Sequence, residues 1–107
     1  LQDDLSSTRQ PVKMVFLHHP PFDPDDTDHI MAYGNEAFTE LMAAADVDYV
    51  FAGHIHAYAQ EERDGVVYTI TGGAGAPLYG QDHPQAFHHY LSVSVRGEDV
   101  AIEVVEI

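Results

Sequence analysis

Two short apolar runs fix most of what this chain can become. Val12-Lys13-Met14-Val15-Phe16-Leu17 and Asp48-Tyr49-Val50-Phe51-Ala52 are too short for helices and rich in β-branched or aromatic side chains, the pattern of buried strands. Pro20-Pro21 ends the first, because proline supplies no ladder N–H and pushes His19 before it toward extended backbone. Gly53 stops the second. Between them Phe38, Leu41, Met42 and Ala45 follow the i, i+3, i+4, i+7 spacing of one helical face, with Asn35 as the expected N-cap. Strand, helix of about ten residues, strand is a βαβ unit, expected to be right-handed with its strands parallel.

The flanking segments complete an α/β chain. Leu1 and Leu5 suit the last turn of a helix entering from upstream, with a linker to residue 11. Asp23 to His29 is acidic and turn-rich and reads as a surface loop. Tyr58 to Arg63 and Val66 to Ile70 flank Asp64-Gly65, a strong two-residue hairpin signal. Tyr90 to Val95 and Val100 to Ile107 form a second hairpin around Arg96-Gly97-Glu98-Asp99. The expected fold is a βαβ unit followed by antiparallel hairpins. A length of 107 residues makes this one domain or part of a larger one. An opening at Leu1 rather than methionine fits a fragment or processed product.

Composition narrows the function. Eighteen acidic against four basic side chains give a formal charge of −14 with histidine neutral. Such a surface repels phosphate backbones and anionic lipid, which disfavours a nucleic-acid coat protein or a membrane-surface binder. A phosphoester held through metal ions stays open, because bound cations invert the local field. The absence of cysteine removes disulfides, thiolate metal sites and a cysteine nucleophile, and leaves the compartment open. No apolar run approaches the ~20 residues of a membrane span.

Histidine carries the chemistry. His18 follows the first strand, and His54 and His56 follow the second within Gly53-His54-Ile55-His56. Parallel α/β sheets bind ligands at the carboxyl ends of their strands. Residues two apart in extended chain point the same way, so His54 and His56 can both face His18. Gly53 is expected to supply the sharp turn that aims them. Imidazole suits zinc, iron and other transition ions, and three imidazoles converging on one sheet edge outweigh the reading of polar turn residues.

These residues resemble a known family. Phe16-Leu17-His18-His19-Pro20-Pro21 and Asp48-Tyr49-Val50-Phe51-Ala52-Gly53-His54-Ile55-His56 look like the last two signature motifs of the calcineurin-like metallophosphoesterases. Thr69-Ile70-Thr71-Gly72-Gly73-Ala74-Gly75 fits downstream, so the likeness runs from about Val12 to the final hairpin. It implies half of a two-sheet α/β sandwich and hydrolysis of phosphate mono- or diesters at a dinuclear site. Two transition-metal ions (manganese, iron or zinc) are implied, with His18 and His54 on one ion and His56 on the other. The family's earlier Asp-x-His, Gly-Asp and Gly-Asn-His motifs do not occur in these 107 residues. The chain therefore reads as the C-terminal portion of a catalytic domain, inactive alone and dependent on its N-terminal half or on self-association. Three neutral histidines cannot neutralise two dications without a bridging carboxylate.

Other polar features receive plainer readings. His19 reads as a surface histidine, with contact to substrate or a bound water as the alternative. His83, His88 and His89 read as parts of a solvated loop that could overhang the site. Asp23, Asp25, Asp26 and Asp28 lack the glycine and distal glutamate of a calcium loop. Gly72 to Gly75 lacks a following Gly-Lys-Ser/Thr and reads as a tight turn below the metal site. The rival function from another class is a non-catalytic subdomain that binds a single metal or a partner chain. A metal-free histidine hydrolase lacks any nucleophile signature.

Overall fold

The computed structural model describes residues 1–78 and 86–107; His83 lies outside the described residues. In chain order the elements are α1 (Gln2–Ser7), β1 (Met14–Leu17), α2 (Asn35–Ala44), β2 (Tyr49–Ala52), β3 (Tyr58–Arg63), β4 (Val66–Thr71), β5 (His89–Arg96) and β6 (Asp99–Glu106). The protein is mixed α/β.

The βαβ unit forms as its hydrophobic pattern requires. β1 and β2 pair in parallel, Met14 opposite Tyr49 and Leu17 opposite Ala52. Asp64 and Gly65 take positive φ, 52° and 80°, as a tight hairpin turn demands, and β3 pairs antiparallel with β4. Beyond the sequence reading, β4 then inserts beside β2 in parallel, giving the sheet order β1-β2-β4-β3. β5 and β6 form a separate two-stranded sheet.

One sheet face carries the core. Val15, Val50, Val66 and Tyr68 pack with Leu5 of α1, Met42 of α2 and Val47. The only lysine of the sequence fastens this layer. Lys13 donates from its backbone N–H to the Asp48 carboxylate (2.8 Å) and from Nζ to the Ala45 carbonyl (2.7 Å), covering a helix-end carbonyl that lacks an intrahelical donor.

Asn35 is not the N-cap. Gly34 holds that place at φ 79°, and the Asn35 side chain instead donates to the carbonyls of Pro21 (2.7 Å) and Met31 (2.9 Å). Together with Met31 N–H on the Pro20 carbonyl, this curls the intervening loop back on itself. Asp23 is buried rather than solvated. Its carboxylate accepts the backbone N–H groups of Asp25 and Thr27 and the Thr27 hydroxyl.

The opposite sheet face is covered less. Phe51 is buried, yet Phe16, stacked on it at 5.1 Å between ring centroids, is 72% exposed. Consecutive apolar residues in β1 predicted burial of both faces; Phe16 departs from that expectation.

Candidate metal centre

The carboxyl ends of β1 and β2 lie side by side, and His18 and His54 leave them together. Gly53 donates its N–H to the His18 carbonyl (3.0 Å), extending the parallel pairing by one step. The chain then turns at His54, which adopts φ 63°. This left-handed conformation is uncommon for a residue with a side chain and is worth attention when it falls at a strand end. It swings the imidazole across the strand gap, and His54 Nδ1 comes to 3.3 Å from His18 Nε2. Gly53 itself has no positive φ, so the expected glycine turn is taken by the histidine.

His19 joins the group. Its ring centroid lies 4.1 Å from that of His54 and 4.9 Å from that of His18. One ligand nitrogen from each of His18, His19 and His54 falls within 4.8 Å of the others. The sequence reading placed His19 on a plain surface; it is exposed but belongs to the cluster. His29 follows at 5.8 Å from His54. Spacing gave no sign of it, because the loop closure through Pro20, Pro21 and Asn35 brings it back.

His56 is held differently. The segment after His54 is bent rather than extended. His56 Nδ1 donates to the Pro77 carbonyl at 2.6 Å, which leaves the lone pair on Nε2. Gly72 packs beneath this segment, and a Cβ there would lie 2.0 Å from the Ile55 carbonyl oxygen.

His89 is not a loop residue in solvent. It begins β5, is fully buried, and its N–H reaches the Gly73 carbonyl. Its Nδ1 donates to the Phe87 carbonyl (2.9 Å), and its Nε2 accepts from the Thr71 hydroxyl (3.0 Å). His88 is exposed and donates from Nδ1 to the Gly73 carbonyl.

Electrostatics favours a neutral imidazole at His54. Burial first, then the neighbouring His19, His18, His29 and His56, hold the His54 pKa below its ordinary 6.5. Neutral imidazoles are the form that ligates metal. The His18–His54 separation also matches a shared ion: a tetrahedral site with metal–nitrogen bonds of about 2.0–2.1 Å has a ligand–ligand edge of about 3.3–3.4 Å. The donor set fits a transition ion, and among the described residues the cluster contains no carboxylate.

Comparison with known proteins agrees with this chemistry. No protein-family profile matches the sequence. The chain is 30% identical over 89 residues to purple acid phosphatase 5 of Arabidopsis thaliana, covering 78% of this chain and 22% of that protein. It is 31% identical over 78 residues to the phosphoenolpyruvate phosphatase of Allium cepa, covering 71% of this chain and 16% of that protein. The chain thus spans about a fifth of the length of these relatives. Its fold superposes on GAP50, the anchor in the inner membrane complex of Plasmodium, with a TM-score of 0.79 and 13% identity. That match covers 98% of this chain and 36% of the other. Sequence and fold together relate this chain to the calcineurin-like metallophosphoesterase superfamily, over the C-terminal region of that fold.

Proposed function

We propose that these residues form the C-terminal part of a metal-dependent phosphoester hydrolase, with His18 and His54 sharing one ion and His56 serving a second. The observation that carries this reading is the 3.3 Å approach of His54 Nδ1 to His18 Nε2 at the carboxyl ends of parallel strands, in a chain similar to phosphatases. When bound, such ions polarise a phosphoryl oxygen and supply a nucleophilic water near neutral pH.

The chain's own residues have separable tasks. His18 Nε2 and His54 Nδ1 offer two ring nitrogens at one point. His56 keeps its proton on Nδ1 through the Pro77 carbonyl, the second hydrogen bond that ordinarily fixes a ligating imidazole. A groove of about 380 Å³ lined by His19, Ile30, Met31, Ala32 and Tyr33 adjoins the cluster and receives the organic part of the ester. The imidazoles bring no negative charge. The carboxylates that balance two cations come from an N-terminal half that packs against this one, and residues 1–107 alone turn over no substrate.

The experiment is hydrolysis of nitrophenyl phosphate mono- and diesters with manganese, zinc or iron. It compares residues 1–107 with the gene product from which they come. Activity confined to the gene product and abolished by His54→Ala is the expected result. Activity there that survives His54→Ala overturns the assignment.

A further inference from the structure

We propose that His19 is a metal ligand, completing with His18 and His54 a three-imidazole site for one divalent transition ion, from which His56 is excluded. This rests on reading the strand edge as a metal centre, and adds to it a ligand that the motif resemblance does not supply.

Backbone geometry makes the assignment. Side chains of adjacent residues point to opposite faces while the chain is a strand, so His18 and His19 could not share an ion within β1. The strand ends at Leu17, and the chain bends at His18 and His19. Pro20 fixes the bend: it is buried, and its carbonyl accepts the Met31 N–H at 2.8 Å. Both imidazoles therefore leave on the same side, with their rings nearly perpendicular at 81°. Perpendicular rings let two neighbouring imidazoles aim lone pairs at one point without stacking. His54 arrives from β2 through its left-handed turn and closes the triangle, all three ligand atoms lying within 4.8 Å of one another. His56 does not belong to that triangle, and its Nδ1 is held by the Pro77 carbonyl.

The donor set selects the ion. Three imidazoles, with no carboxylate among the described residues of the cluster, suit zinc, cobalt, nickel or copper, and do not suit magnesium or calcium, which demand oxygen. In the 107-residue chain three imidazoles leave a fourth position open, the place at which the proposed hydrolase would bring a carboxylate from its N-terminal half.

The test is titration of the 107-residue chain with zinc by calorimetry, and with cobalt by visible absorption, at pH 7.5. One ion per chain is expected. His19→Ala weakens binding by at least about 10-fold and changes the cobalt spectrum, while His56→Ala stays within about 3-fold of the parent. Because His19 is exposed, His19→Ala should keep the parent circular dichroism, and His19→Gln serves as a second variant of closer size. Unchanged binding in both His19 variants with loss in His56→Ala overturns the proposal and leaves the hydrolase reading standing. Absence of any bound ion in the parent chain overturns it too, whereas the hydrolase reading is decided separately by the activity assay.

Discussion

His54 Nδ1 stands 3.3 Å from His18 Nε2, two imidazoles 36 residues apart in sequence brought together by parallel pairing and one left-handed turn. Packing the other imidazoles around it disfavours charging His54. The His54 pKa is lowered, by burial and then by His19, His18, His29 and His56. In NMR titrations of the metal-free chain, His54 should therefore take up its proton at a lower pH than the ordinary 6.5. The sign for stability follows from linkage. Above pH 6.5 the ring is neutral in both folded and unfolded chain and contributes nothing. As pH falls below 6.5 toward the folded value, the unfolded chain binds the proton first, so stability declines with falling pH. His54→Gln should flatten that part of the stability curve; an unchanged slope would show that the cluster does not resist charging.

Gly72 and Gly53 should behave oppositely. A methyl group at Gly72 would sit 2.0 Å from the Ile55 carbonyl oxygen and 2.7 Å from its carbon, and both are backbone atoms that cannot swing away. Gly72→Ala should cost about 1–3 kcal/mol, the range for overpacking, and displace the segment carrying His54 and His56. At Gly53 the nearest atoms are 3.9 Å away and φ is not positive. Gly53→Ala should shift the melting temperature little. Equal melting shifts for the two variants would contradict this geometry.

His89 ties the second sheet to the first. Replacement by phenylalanine keeps a ring but leaves the Phe87 carbonyl and the Thr71 hydroxyl without their partner. A buried polar group deprived of its hydrogen bond costs about 1–3 kcal/mol. For a chain of this size each kcal/mol moves the melting temperature by about 4–8 °C. His89→Phe should therefore melt well below the parent, and the exposed neighbour His88→Phe should not. The reverse order would mean that His89 is not the anchor.

These residues also mark what the sequence discloses. The βαβ unit was legible because β-branched runs and a helical stripe are local patterns, and the Asp64-Gly65 turn because only a few residue pairs tolerate its φ values. The insertion of β4 between β2 and β3 was not, since strand order depends on non-local pairing. The approach of His18 to His54 at adjacent strand ends was legible from spacing alone. His19 and His29 were not, because their approach depends on how Pro20 and Asn35 close a loop. His89 read as solvated because nothing in its apolar surroundings Ala86-Phe87 and Tyr90-Leu91 distinguishes a buried imidazole from an exposed one. Gly53 drew attention as the turn-former, whereas the positive φ fell on His54, where side-chain identity argued against it.

The uncovered sheet face sets the last prediction. Phe16 is 72% exposed, stacked on its register partner Phe51, which in turn stacks on Tyr49. Val93, Val95 and Val104 of the β5–β6 sheet are exposed as well. Burying one large apolar side chain is worth about 1.5–3 kcal/mol, so a second copy meeting this face gains several such terms. A charge of −14 on each copy opposes that gain. Salt decides between them, because the screening length falls from about 8 Å at physiological ionic strength to about 3 Å at 1 M, while contact between apolar faces is undiminished. Size exclusion with light scattering should therefore show a mass above the 11.8 kDa of one chain, rising as sodium chloride is raised. Phe16→Asp should lower that mass at every salt concentration, since it removes the exposed ring and adds a charge at the contact. A monodisperse monomer at both low and high salt would mean that Phe16 and its neighbours do not drive association.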